Sequence, residues 1–276
     1  MERLSEFAKN IQKKSPIFDY YPPKNNYIGI ISIPHSGLDI PDEFQQFLVQ
    51  DKISIKQDVD FFVHELVDIP TLQAAGIAVI KANIIRTAVD LNREKESAVL
   101  NWKKNSKGHL VVQKEASPNE VNDLIEKYYS PYFEMMKALI NELNAHMARP
   151  SIIDLHSMPS KATEYHLKIN PDQKVNRPSF CVSDRSGLTC EKSFIDSICN
   201  SLSKYYPNTT QNDPYFGGYI TQHIQNHFPK TNNIQIEINR ALYMDEANFE
   251  LLDSSSDLKK QLTQMIIENF NHFFNS

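Results

Sequence analysis

Short, nearly unbroken apolar runs recur along this chain, separated by longer stretches in which apolar residues return every three or four positions. Residues 27–33 (YIGIISI) form the first run and are closed by Pro34. Residues 77–84, 151–155, 179–183 and 233–238 are the others. Runs of this length, rich in isoleucine and valine, read as strands covered on both faces. Between them the period changes. Residues 60–72 carry helical spacing through Phe62, Leu66 and Ile69, with Pro70 expected to kink or end the helix. Residues 118–148 read as one long helix or two joined near Pro131, opened by Ser117 as N-cap with Glu120 at the capping-box position. Residues 190–205 and an amphipathic terminal stretch, 256–274, complete the helical set. Strands alternating with helices predict an α/β fold, a parallel or mixed central sheet with helices on both faces, in a single domain over residues 1–276. Two polar, irregular stretches, 94–115 and 159–177, are expected to form loops over a site.

Ligands of open α/β sheets bind beyond the carboxyl ends of the strands, so the residues after each run carry the functional question. The first run leads to Pro34-His35-Ser36-Gly37, and the second to Arg86 and then Asp90-Leu91-Asn92-Arg93. The third runs into Asp154-Leu155-His156-Ser157, the fourth into Asp184-Arg185-Ser186-Gly187, and the fifth contains Glu237 and ends at Arg240. All five are expected to open toward one edge. A lone histidine after a strand is an ordinary surface residue. Two at equivalent positions, the second in Asp-x-His form, point to a metal, because a carboxylate on the distal imidazole nitrogen fixes the tautomer of a ligating histidine. A catalytic zinc usually takes three protein ligands and leaves one position open. Asp58 and Asp60 are candidates for the third, set against their plainer reading as acids at a helix start. Glu237 lies among Ile234, Ile236 and Ile238. An acid there is either on a solvated edge or poised as a general base over a metal-bound water. Arg86, Asn92, Arg93 and Arg185 offer donors for a carboxylate or a developing oxyanion. His64, His146, His166, His227 and His272 read as structural, and His223 as ambiguous.

Composition narrows the partners. Of 276 residues, 41% are hydrophobic and 23% charged, the balance of a soluble globular protein. A formal net charge of -5 without any Lys/Arg cluster argues against nucleic acid. The apolar runs are too short to span a bilayer and the N-terminal stretch has no apolar core of a signal peptide, so no membrane partner is expected and the expected location is cytoplasmic. Cys181, Cys190 and Cys199 have no metal-ligand spacing and read as reduced thiols. Glycine is scarce at seven residues, and Gly37, Gly187, Gly217 and Gly218 all fall in or beside the strand-end segments.

Taken in order, PHSG, DVD, RTAVDLNR, DLHS, DRSG, DPYFGGYITQH and QIEINRALYMDE resemble the N-formylglutamate amidohydrolase family over residues 31–246. Any one of these segments alone is weak, and the ordered set is specific. The family is similar to zinc carboxypeptidases and aspartoacylases, which implies a phosphorylase/hydrolase-like, zinc-carboxypeptidase-like mixed sheet. Carried over residue by residue, the resemblance implies His35 and His156 as ligands of one Zn2+ ion. It also implies Glu237 as base and then acid, Arg86 on the scissile carbonyl, and Asn92 with Arg93 on the α-carboxylate. Leu38 stands where the carboxypeptidase relatives carry a glutamate ligand, so Asp60 is the expected third ligand. Arg185, Tyr219 and His223 are expected to read a side-chain carboxylate. The implied reaction is hydrolysis of N-formyl-L-glutamate, a small anionic N-acyl amino acid, to formate and glutamate, as in histidine degradation. An amidohydrolase acting on another N-acyl acidic amino acid, and a non-catalytic binder of acidic amino acids, are the rivals. The oligomeric state is open.

Overall fold

The five apolar runs pair side by side. The computed structural model describes residues 6–11 and 17–275. Its central sheet holds β1 (Phe18–Tyr21), β2 (Gly29–Ile33), β3 (Ile77–Ala82), β4 (Ser151–Met158), β5 (Phe180–Ser183), β6 (Thr209–Gln211) and β7 (Asn232–Asn239). Their order is β1-β3-β2-β4-β7-β5-β6. The block β3-β2-β4-β7 is parallel. β1 closes one side antiparallel to β3, and β5 and β6, parallel to each other, run antiparallel to β7. Every residue of β2, β4 and β7 is buried, which requires cover on both faces.

The cover differs between faces. On one, the helix Ser255–Phe274 packs against the helices Ile69–Ala74 and Lys192–Ser203. Phe270 of that helix lies so close over Gly29 that any Cβ there would overlap its ring. On the other face the helix Ser130–Asn144 crosses β2, and the Tyr132 hydroxyl meets Ser32 Oγ at 3.0 Å. Gly29 and Ser32, three apart on one strand, point to opposite faces as the pleat requires. The helix Tyr219–His227 packs on β7. The mixed sheet and its two helical layers match the expected fold class.

Local departures have local causes. The pattern over 118–148 resolves into two helices, Pro118–Tyr128 and Ser130–Asn144, with Pro131 in the first turn of the second. The Ser117–Glu120 capping box is formed. Pro70 does not end a helix but opens one. Asp68 caps Ile69–Ala74 by accepting from the Thr71 N–H at 3.2 Å, and Pro70 sits in its first turn, where no N–H is needed. Between Asp60 and Leu66 there is only a 3-10 turn, Val63–Glu65. The edge strands β1 and β6 escape a periodicity reading because they are only three or four residues long. The largest correction concerns β5. It runs opposite to the parallel block β3-β2-β4-β7, so Asp184 and Arg185 leave the sheet at the far end from His35 and His156. The connection from β4 to β5 stays on one end of the sheet and holds only the short helix Glu164–Ile169, too little for the crossover a parallel strand demands.

The stretch 159–177 is therefore a cover. At the start of its helix, His166 Nδ1 accepts from the Thr163 N–H at 3.1 Å and lies 2.8 Å from the Thr163 hydroxyl. Burial, and then the charge of Arg177, push His166 down from 6.5 to about 4. Between these values an opened segment takes up a proton that the closed one refuses, so closure weakens as the pH falls. Hydrogen exchange of the 164–169 amides, corrected for intrinsic rates, is expected to lose protection between pH 6.5 and about 4 while β4 keeps its own. Protection that stays level across that window contradicts the role given to His166.

Candidate active site

Beyond β2 the chain carries His35 over the carboxyl end of the parallel block. β4 runs three residues past its predicted end, so His156 lies inside the strand, in register with Glu237 of β7. The third element is the 58–60 segment, pinned when the Asp60 N–H bonds to the His35 carbonyl at 3.0 Å. The two imidazoles stand edge to face with centroids 4.8 Å apart. His35 Nε2 lies 2.8 Å from Asp90 Oδ1, and His156 Nε2 lies 2.8 Å from Asp154 Oδ2. A carboxylate only accepts, so each Nε2 carries a proton, and Nδ1 is the nitrogen of each ring placed to meet a cation, in His156 in place of its hydrogen bond to Asp60. Both Nδ1 atoms face Asp60 Oδ2, at 3.7 Å from His35 and 3.1 Å from His156. The other oxygen, Asp60 Oδ1, is held by Arg240 Nη2 at 3.1 Å and Ser157 Oγ at 3.3 Å.

This donor set fits a divalent ion. One atom from each of His35, Asp60 and His156 lies within 4.8 Å of the others, and all three residues are buried. His35 Nδ1 is buried without a hydrogen-bond partner, an orphan that a cation would satisfy. Two imidazole nitrogens and one carboxylate oxygen are the ligand types of a catalytic zinc. The electrostatics agree. Burial works to raise the Asp60 carboxyl, and bonding to His156 and His35 overrides it and holds it well below its ordinary value. Burial likewise opposes the His156 charge, and Asp154 overrides it and raises that imidazole. Asp60, Asp90, Asp154 and Glu237 gather around the two rings, against the guanidinium groups of Arg86 and Arg240. The cluster has room for more positive charge.

Asp90 joins the two halves of the site. Besides His35 it accepts from Arg86 Nη2 at 3.2 Å, from Trp102 Nε1 at 3.0 Å and from the Asn92 N–H at 3.0 Å. Two guanidinium groups lie over the Trp102 ring, that of Arg86 at 5.6 Å and that of Arg93 at 5.2 Å. Arg86 is also tied to the Asp58 carbonyl at 3.1 Å, while its Nε is buried and free. Asp58 itself binds the Ser106 backbone N–H and hydroxyl and stays out of the donor cluster.

On β7, Gln235 and Glu237 point to one face. Gln235 Nε2 donates to Glu237 Oε1 at 2.7 Å, and Gln235 Oε1 accepts from the Gly218 N–H at 2.7 Å. Burial raises the Glu237 carboxyl, the charge of His156 working against it. Asn92 lines the cavity, and its amide is also tied to the fold. Oδ1 accepts from the Ile220 N–H at 2.8 Å and Nδ2 reaches Gln235 at 3.4 Å. Gly218 has no side chain because a Cβ would overlap that amide. His223 does not line the cavity. Its ring packs on Phe133 at 4.8 Å and His227 at 4.2 Å, and burial, then the charge of His227, lower it to about 4. Tyr219 lines the cavity, as do Arg93 and Arg185. Arg185 gets there despite the reversal of β5, because its N–H bonds to the Phe216 carbonyl at 2.7 Å and its guanidinium to the Gly217 carbonyl at 2.9 Å. The site thus runs from the His35, Asp60 and His156 cluster down the face of β7. His166, read as structural, lines the cavity and faces the Tyr215 hydroxyl at 3.3 Å.

Asp90, Arg240, Gln235 and Trp102 were given no role from sequence. A signal existed for two of them. Gln235 lies two residues before Glu237 and so shares its face. Trp102 is the only tryptophan of the chain, set in a polar loop.

Comparison with known proteins gives the family and the fold. The family model of N-formylglutamate amidohydrolase matches residues 29–244. An N-formylglutamate deformylase of Pseudomonas putida is 23% identical over 256 residues, covering 86% of this chain and 91% of that protein. The crystal structure of an N-formylglutamate amidohydrolase from Ralstonia eutropha JMP134 superposes with a TM-score of 0.81 at 23% identity, covering 93% of this chain and 98% of the other. A gene product of Agrobacterium tumefaciens superposes at 0.70 with 14% identity, over 95% and 97% of the two chains. Among the described residues no helix is long and apolar enough to cross a membrane. With the family match spanning most of its length, this chain belongs to the N-formylglutamate amidohydrolase family.

Proposed function

We propose that this chain hydrolyses the amide of N-formyl-L-glutamate to formate and L-glutamate, with one zinc ion held by His35, Asp60 and His156. The observation that carries the reading is the convergence of both Nδ1 atoms on Asp60 Oδ2, with Glu237 directly across from His156. The names of the Pseudomonas putida and Ralstonia eutropha relatives support the substrate. Bound at this cluster, zinc supplies Lewis acidity and a water of lowered pKa. The remaining work falls to side chains of the chain. Gln235 holds Glu237 Oε1, leaving Oε2 to take a proton from the attacking water and pass it to the departing nitrogen. Arg86, fixed by Asp90 with its Nε unspent, faces the carbonyl oxygen as charge develops there. Arg93, partly exposed beside Trp102, receives the α-carboxylate.

A second reading rests on the cavity, whose volume of about 1140 Å³ leaves space for an acyl group larger than formyl. In that reading the same groups cut another N-acyl acidic amino acid. Formyl, acetyl and succinyl derivatives of glutamate and aspartate, compared by kcat/KM, separate the two.

Three results are expected. Formate release from N-formyl-L-glutamate stops on chelation and returns with added zinc. Glu237→Gln lowers kcat by about a thousandfold, the scale of losing a general base, while bound zinc is retained. Turnover that survives chelation or Glu237→Gln rules the mechanism out. Gln235→Leu, which removes the donor on Glu237, lowers kcat by about tenfold with zinc content unchanged, as losing a supporting hydrogen bond does. Wild-type kcat in that variant removes Gln235 from the mechanism.

A further inference from the structure

Arg177 stands three residues ahead of β5 and is 4% exposed, yet none of Nε, Nη1 and Nη2 has a hydrogen-bond partner. A guanidinium carries five N–H donors and cannot shed its charge. Left unpaired and dry, such a group is among the most expensive a protein can bury. Its main chain is committed, the N–H to the Ser160 carbonyl at 3.0 Å and the carbonyl to Asn239 Nδ2 at 3.3 Å, so the guanidinium is held where it is. It lies 5.2 Å over the Tyr215 ring. Tyr215 and His166 line the cavity and meet at 3.3 Å, and the charge of Arg177 is felt at both. An orphaned buried nitrogen on His35 fits a cation, and by the same reasoning three orphaned nitrogens on Arg177 fit an anion. Arg185, at the other end of the 215–218 segment, also has no acid partner, but it already donates to the Gly217 carbonyl at 2.9 Å and the Gly218 carbonyl at 3.4 Å. Arg177 is the one with nothing spent.

Arg177 does not itself line the cavity but lies directly behind Tyr215 and His166, which do. We infer that Arg177 is the specificity residue for the side-chain carboxylate of an acidic substrate, which takes the place of the Tyr215–His166 contact and pairs with the guanidinium in a two-pronged fashion. The inference rests on the amidohydrolase reading of the cavity. In an N-acyl glutamate the α-carboxylate is close to the scissile amide and falls to Arg93. The side-chain carboxylate reaches farther and needs a cation away from the metal cluster. Arg177 takes the place that the sequence assigned to Arg185, Tyr219 and His223. The carboxylate supplies the acceptors the fold withholds, and a neutral amide in its place leaves the guanidinium unpaired.

The test compares N-formyl-L-glutamate with N-formyl-L-glutamine on the zinc-loaded full chain, in wild type, Arg177→Lys and Arg177→Met. Wild type is expected to favour the acid by at least about a hundredfold in kcat/KM. Arg177→Met removes that preference, through KM and on the acid alone, and Arg177→Lys keeps part of it because the charge remains without the fork. Equal losses on both substrates, or an intact preference, overturn the inference. Circular dichroism checks the fold, and if Arg177→Met does not fold, Arg177→Lys decides by the same ratio. Calorimetric titration with glutarate needs no turnover and separates this inference from the reaction itself. If wild type hydrolyses neither compound, the amidohydrolase reading fails. Glutarate binding that is present in wild type and weakened in the variant still supports Arg177, whereas binding that is equal in both, or absent in wild type, overturns it.

Discussion

Crowding of negative charge is the constraint on which this structure turns. Asp60, Asp90, Asp154 and Glu237 are brought together at the carboxyl ends of β2, β4 and β7, where burial raises the cost of every charge. Each is answered by a fixed donor. Asp90 has His35, Arg86 and Trp102, Asp154 has His156 and Ser32, Asp60 has Arg240 and Ser157, and Glu237 has Gln235. Remove the cluster and much of the irregular chain around it loses its reason. The 58–60 segment, the 86–93 turn and the 213–220 segment are all held by bonds to these groups or to the residues that fix them.

The cavity is polar along its length. At one end acids outnumber arginines around the two imidazoles, and at the other Arg185 lines the wall without an acid partner, with Arg177 buried behind Tyr215. A substrate with an uncharged reacting group and a carboxylate at its tail is aligned by such a field before any contact is made. Orientation and chemistry are thus separated in space. The reversal of β5 makes this possible, because β7 then exposes a face beside which the 213–218 segment lies, and the tail of a ligand can follow that face.

Much of this was legible in the residues. The apolar runs marked every strand of the parallel block, since buried strands must be apolar on both sides, and the polar residues after them marked the cluster. Strand direction was not legible. Residues 179–183 have the same pattern whichever way they run, and only the short connection from β4 shows that they turn back. The edge strands were too brief to carry a period. His223 sits off the cavity, and Asn92 sits on its wall with its amide already tied down. A histidine on a helix has an apolar option, here Phe133, and an asparagine has four hydrogen-bond positions that the backbone of 218–220 claimed first. Arg177 was missed because nothing in a sequence says that a cation will be buried without a partner.

Trp102 has a consequence of another kind. The chain's sole indole is hydrogen-bonded to a buried acid that also holds His35, and it lines the cavity with two arginines close to its ring. Its emission colour depends on the charges nearest the ring. The protein therefore carries an optical probe of its own at the point where occupancy of the cluster and arrival of an anion both alter the local field, with no second fluorophore of its type to dilute the signal.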